Sequence, residues 1–124
     1  MVRRSFNLIL AMDSSSRRLT FALGGLRHKT LHVDTDKDFR HAETIVVQIE
    51  HLMKRSGMSL DDVDCIACGI GPGSFTGLRV GLAAVKAILM SKNLACFTLS
   101  TLDLIAQNVL GMLDKKISCV RVLA

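Results

Sequence analysis

Hydrophobic positions in this chain change their spacing at almost every polar break, and each change predicts a new element. Residues 7–12 form a short apolar run that reads as a buried strand, closed by the polar turn Asp13-Ser14-Ser15-Ser16. Residues 19–23 make a second strand and 27–33 a third, with Gly24-Gly25 between them as a hairpin turn. The chain is therefore expected to open as an antiparallel meander, which the polar stretch 34–38 ends. Over residues 40–56 the apolar positions are Ala42, Ile45, Val46, Ile49, Leu52 and Met53. They follow the i, i+3, i+4, i+7 spacing of an amphipathic helix, with Val47 the one apolar residue off the stripe. Gly57 stops this helix, and Ser59-Leu60-Asp61-Asp62, a capped turn or a short helical turn, leads into a strand over 63–70.

The next helix, predicted over 78–91, has a different pattern. Leu78, Leu82, Val85 and Leu89 fall on one narrow stripe, while Val80, Ala83, Ala84, Ala87 and Ser91 lie roughly opposite and are modest in size. Only Arg79 and Lys86 mark a polar sector. A helix apolar nearly all round must be covered on two sides. The bulky stripe suits a sheet; the small one admits another helix, either the preceding one or one from a second subunit. Residues 94–99 read as a further strand, and Ser100-x-x-Asp103 resembles a capping box opening a helix to about residue 113. Residues 117–123 begin another strand. Three antiparallel strands followed by alternating helices and strands predict a mixed α/β sheet, β-β-β-α-β-α-β-α, with helices on both faces.

Between the strand 63–70 and the helix after it lies Gly69-Ile70-Gly71-Pro72-Gly73-Ser74-Phe75-Thr76-Gly77-Leu78-Arg79, which holds the only proline. A sharp strand-to-helix turn can aim free N–H groups at an anion. The named nucleotide motifs fail here. Counting G-x-G-x-x-G from Gly69 ends on Ser74 and from Gly71 on Thr76, and no register supplies a Walker lysine. The loop thus reads either as a phosphate cradle or as a tight turn, with Ser74 or Thr76 the N-cap of the following helix.

Composition narrows the function. With 124 residues and 49% apolar content the chain is one globular unit with a real core. It has no tryptophan or tyrosine, so aromatic platforms for single-stranded nucleic acid are not expected. The net charge of +5 is spread over scattered pairs such as Arg3-Arg4, Arg17-Arg18, Lys54-Arg55 and Lys115-Lys116, the pattern of a solvated surface. Arg3-Arg4 precedes an apolar run too short for a signal peptide, and no run approaches the ~20 residues of a membrane helix. A soluble, cytoplasmic protein is expected. Cys65 and Cys68 fall three apart on a strand and point to opposite faces, so with Cys96 and Cys119 they read as reduced core cysteines. His28 and His32 share a strand face but sit about 13 Å apart, too far for one ion. Neither a metal site nor a catalytic residue is assigned.

The run from Gly71 to Ala84, GPGSFTGLRVGLAA, resembles the signature of the TsaB (YeaZ) family, bacterial proteins needed to make threonylcarbamoyladenosine in tRNA. Ile9-Leu10-Ala11-Met12-Asp13-Ser14-Ser15, His41-Ala42-Glu43 and Leu99-Ser100-Thr101-Leu102 support the likeness. It covers nearly the whole chain, and the glycine loop is its most specific part. The resemblance implies a ribonuclease-H-like lobe of the actin and sugar-kinase superfamily, in which the Asp-Ser-Ser turn is a phosphate loop. It implies residues 1–113 as the N-terminal lobe and 114–124 as the first strand of a truncated second lobe. The family's usual Asp-Thr-Ser is here Asp-Ser-Ser. The implied role is a non-catalytic subunit that pairs with the metal- and nucleotide-binding TsaD and is joined by the ATPase TsaE. Alone it would homodimerise, and it would meet tRNA only through the complex. The pairing surface implied is built from the first two helices, which places Ile45, Ile49, Leu52, Met53, Val80, Ala83, Ala84 and Ala87 at a partner interface. The alternative is an actin-like phosphotransferase or ATPase. In that reading Asp13, Ser14, Gly71, Gly73, Ser74 and Thr76 line an ATP cleft rather than capping elements and turning the chain.

Overall fold

The computed structural model describes residues 6–26, 28–34 and 41–112, with side chains described for 6–26 and 44–108. The strand expected over 117–123, the lobe boundary at 113–114 and the polar stretch 35–38 lie outside the described residues.

Five strands form one sheet in the order β3-β2-β1-β4-β5. They are β1 (Ile9–Asp13), β2 (Thr20–Gly25), β3 (His28–Asp34), β4 (Cys65–Gly69) and β5 (Ala95–Leu99). The pairs β1–β2 and β2–β3 are antiparallel, as a meander requires, whereas β1–β4 and β4–β5 are parallel. Parallel strands need crossover connections, and α1 (His41–Ser56), α2 (Phe75–Ser91) and α3 (Thr101–Met112) alternate with the last strands in that way. This is the mixed, ribonuclease-H-like architecture that the element order predicts.

Leu10 and Met12 of β1, Phe21 and Leu23 of β2 and Ile66 and Cys68 of β4 project to one face, where Ile45, Ile49, Leu52 and Met53 of α1 and Val85 of α2 complete a buried cluster. The opposite face is floored by small residues. There Ala11, Ala22, Ala67 and Gly69 line a cavity of about 410 Å³ that Leu104 and Asn108 of α3 help to wall. Helices therefore lie on both faces.

Three local expectations shift. The hairpin turn falls at Leu26, because β2 runs on through Gly24, opposite Ile9, and Gly25, opposite His28. A Cβ on Gly25 would overlap the Asn7 carbonyl group, so this glycine serves a close backbone approach rather than a turn. In α1, Val46 is 62% exposed although it belongs to the expected stripe, since it stands at the margin of the apolar arc. In α2 the buried line is Gly77, Gly81 and Val85, while Leu82 is exposed. The helix is turned by about a quarter-turn from the leucine-inward orientation.

Helix ends follow the sequence closely. Gly57 has φ +70°; its N–H reaches the Lys54 carbonyl at 3.3 Å and that of Met58 reaches Met53 at 3.1 Å, the paired bonds of a Schellman cap. A single 3₁₀ turn, Leu60–Asp62, follows, and the Asp62 carboxylate accepts the Ser59 N–H at 2.8 Å. Lys92, just past α2, pairs with Asp61 of that turn. Ser74 caps α2, its hydroxyl oxygen accepting the Gly77 N–H at 3.2 Å, and Ser100 takes the Leu102 N–H at the start of α3. A Cβ on Gly57 would meet nothing within 4 Å. Gly57→Ala should therefore cost only the left-handed backbone penalty, about 1 kcal/mol. Gly57→Asn should cost less, both read from denaturant midpoints at constant slope.

Candidate functional site

The Asp13 turn and the glycine loop meet at the carboxyl ends of β1 and β4, and they are fitted to one another. One Asp13 oxygen accepts the Ser15 N–H at 3.2 Å and the other accepts the Ser15 hydroxyl at 2.9 Å. That turn buries Ser14 and Ser15 to 3% and 5% exposure. Each then lies against a glycine: a Cβ at Gly81 would overlap Ser14 Oγ, one at Gly73 would overlap the Ser15 carbonyl, and one at Gly69 would overlap the Asp13 carboxylate. The Ser74 N–H donates to the Ser15 carbonyl at 2.6 Å. On its other side the loop is stitched to β5 and α3, with the Ile70 N–H on Leu99 at 3.0 Å and the Gly71 carbonyl taking the Thr101 N–H at 2.8 Å. Gly71 itself has φ +96°, a conformation that side chains disfavour.

The six loop residues singled out from sequence are thus brought together around the start of α2, but not as an open cradle. The N–H groups of Ser15, Ser74 and Gly77 are engaged inside the protein. Gly73 and Gly81 make room for the serine turn and leave no gap for a phosphate between themselves and it. Gly73, Ser74 and Thr76 are exposed, Thr76 beside Phe75 and Arg79. The cavity beneath α3 was not anticipated. Its signal was the alternation of alanines with larger residues on β1, β2 and β4, which is legible only once the strands are aligned.

The helical surface is redistributed in the same way. Ile45, Ile49, Leu52 and Met53, assigned to a partner from sequence, are 2%, 8%, 0% and 6% exposed, because the sheet face covers them. Val80 and Ala84 are half-buried against the same core, near α1, whereas Ala83 and Ala87 are exposed. What α1 and α2 turn outward also includes Val46, Val47, Leu82, Phe75 and Met90, none of them named from sequence as a contact. Val46 and Leu82 belong to stripes expected to face the sheet, and Val47, Phe75 and Met90 lie off those stripes. Two concavities mark this side. One, of about 540 Å³, runs between α1 and α2 past Val46, Glu50, Met53 and Ile88. The other, of about 300 Å³, lies over Phe75, Thr76, Arg79, Val80 and Ala83. Within it the Arg79 guanidinium carbon sits 5.4 Å from the Phe75 ring centre, a surface cation–π contact.

Cys65 and Cys68 behave as core groups, whereas Cys96, on the edge strand β5, is exposed rather than in the core, and Cys119 lies outside the described residues. Cys65 and Cys68 do project to opposite faces, Cys68 joining the helix-side cluster. Burial, and then Cys96, push the Cys68 pKa up to about 11, and burial followed by the Asp64 charge raises that of Cys65. Both therefore stay protonated at neutral pH. Among the described residues no three His, Cys, Asp or Glu side chains converge as metal ligands, and no helix is long and apolar enough to cross a membrane.

With this geometry in hand, likeness to known proteins is informative. A family model described as TsaD, tRNA N6-adenosine threonylcarbamoyltransferase, matches residues 36–120. The tRNA threonylcarbamoyladenosine biosynthesis protein TsaB of Haemophilus influenzae is 34% identical over 99 residues, 80% of this chain and 42% of that protein. TsaB of Escherichia coli K12 is 31% identical with the same coverage. The solved structure of YeaZ from Pseudomonas aeruginosa superposes with a TM-score of 0.79 at 28% identity, over 85% of this chain and 49% of that one. The chain spans about half the length of these relatives.

Proposed function

The chain belongs to the TsaB (YeaZ) family, and from that membership we propose that it serves as a non-catalytic partner subunit in the formation of threonylcarbamoyladenosine in tRNA. In this reading it pairs with a TsaD-type catalytic subunit through the outward sides of α1 and α2, is joined there by a TsaE-type ATPase, and homodimerises through the same side when alone. Contact with tRNA would come through the assembled complex in the cytoplasm.

The observation that carries the proposal is the apolar, small-residue surface left by the quarter-turn of α2. Ala83 and Ala87 are exposed on consecutive turns, and Val46 and Val47 of the neighbouring α1 are 62% and 60% exposed. Small side chains allow two helices to approach closely, and exposed aliphatic ones supply the area that a stable contact removes from water. The commitment of Asp13 and Ser15 to each other supports a structural role for the loop pair, as the mount that sets the angle of α2.

The test is a pair of substitutions that keeps the fold. Ala83→Arg with Ala87→Arg places two large charged groups on exposed positions, whereas Ala84 is half-buried and unsuitable. Co-purification with a TsaD-type subunit should be lost, with affinity lowered at least about 100-fold, or roughly 2.7 kcal/mol. Unchanged co-purification at unchanged stability would overturn the proposal.

A further inference from the structure

We propose that strand β5, at the edge of the sheet, pairs antiparallel with β5 of a second copy of this chain, joining two sheets into one. The contact is separate from the pairing proposed above, since neither concavity on the α1 and α2 side takes a residue from β5.

The two edges of the sheet are β3 and β5, and they differ. Edge strands are commonly blunted by charge, proline or a bulge. β3 carries Lys29 and Asp34, and its register on β2 shifts between Leu23 and Gly25. β5, Ala95-Cys96-Phe97-Thr98-Leu99, has no charge and no proline, and it pairs with β4 residue by residue. Among the described residues no strand pairs with its outer side. Every residue from Cys96 to Leu99 is exposed, Phe97 to 51% and Leu99 to 42%.

Backbone direction fixes the register. The Leu99 carbonyl accepts the Ile70 N–H at 3.0 Å and so points toward β4. Polar groups alternate sides along a strand, so those of Ala95 and Phe97 point the same way and those of Cys96 and Thr98 point outward. A two-fold axis at Phe97 then sets Cys96 of each copy opposite Thr98 of the other, each pair exchanging both N–H···O bonds. Phe97 meets its own image at a position where side chains come closest. The Phe6 ring already packs edge-on against Phe97 at 5.4 Å, so the two copies would close one aromatic cluster. Ala95 falls opposite Leu99, small against large.

Charge points to the same occupant. Lys92 precedes β5, and Asp103, exposed in the first turn of α3, follows it. The antiparallel direction brings Lys92 of one copy to the end where the other carries Asp103, and opposite charges at matching ends favour that register. Any strand could satisfy the outward backbone groups; the match in size and charge is what a second copy supplies.

The test silences the helix side with Ala83→Arg, Ala87→Arg and follows the full chain by sedimentation equilibrium up to about 100 μM. A dimer should remain. Thr98→Pro removes an outward N–H and spares the ladder to β4. It should weaken the dimer at least about tenfold, through the loss of its interchain bonds. Phe97→Lys should do the same, with circular dichroism showing that each variant folds. In a Cys96→Ser, Cys119→Ser background, Phe97→Cys should form an interchain disulfide under mild oxidation, since Cα atoms at such a position lie about 4.5 Å apart. Leu26→Cys, 70% exposed at the far hairpin, should stay uncross-linked. A monomer in the silenced chain, or a dimer indifferent to both Thr98→Pro and Phe97→Lys, overturns the inference. Cross-linking at Leu26→Cys as readily as at Phe97→Cys overturns it too. None of these outcomes touches the helix-side reading, which stands or falls on co-purification with a TsaD-type subunit.

Discussion

Gly81→Ala is expected to destabilise the fold by about 3 kcal/mol, although by helix propensity alone the same change should stabilise α2 by up to about 1 kcal/mol. The sign is therefore diagnostic. Gly81 is buried in the second turn of α2, and an added Cβ would fall onto Ser14 Oγ and within 2.8 Å of Ser14 Cβ. Ser14 is 3% exposed and follows directly on β1, so it has nowhere to retreat. Either the serine turn moves or α2 lifts from the sheet, and both loosen the loop pair. Removing the obstacle should restore most of the loss: Ser14→Gly with Gly81→Ala should recover more than half of it. A double-mutant cycle by chemical denaturation would measure that coupling, and additivity of the two changes would refute the packing account.

Phe21→Ala should cost about 3–5 kcal/mol, a large share of the 5–15 kcal/mol by which domains are ordinarily stable. Phe21 is 0% exposed and, among the described residues, the largest fully buried side chain, placed on β2 between Met12 of β1 and Val33 of β3. It forms the floor on which the apolar stripe of α1 rests. The matching control is Val46→Ala. Val46 shares the periodic stripe of α1 in sequence yet is 62% exposed, so its truncation should change stability by less than about 0.5 kcal/mol. Comparable losses for the two residues in urea titrations would mean that α1 is seated differently on the sheet.

These two substitutions also show where the chain can be read without its structure. The burial of Ile45, Ile49, Leu52 and Met53 follows from their spacing, because a stripe at helical period must be covered by something. What covers it does not follow from spacing. Spacing alone allots these four residues to a partner as readily as to the sheet. The strands supply their own complement in Leu10, Met12, Phe21 and Leu23, which covers these four residues and leaves Val46 exposed at the edge of the stripe. The surface left over is smaller and lies at Val46, Val47, Ala83 and Ala87, at the margins of the patterns rather than at their centres.

By itself the sequence determined the element order as far as α3, the meander, the Gly57 stop and a cap at Ser74 or Thr76. Each of these depends on residues within a few positions of one another, through φ, side-chain spacing or a local hydrogen bond. The tertiary structure alone decided which way α2 is turned and what the glycines of the loop lie against. Both depend on Gly69, Gly73 and Gly81 meeting Asp13, Ser15 and Ser14, residues more than fifty positions away in the chain. A missing side chain is permissive, and a pattern of glycines records only that something comes close. Which part of the chain comes close is decided by which strand lies beside which. The parallel pairing of β1 with β4 sets the two turns side by side.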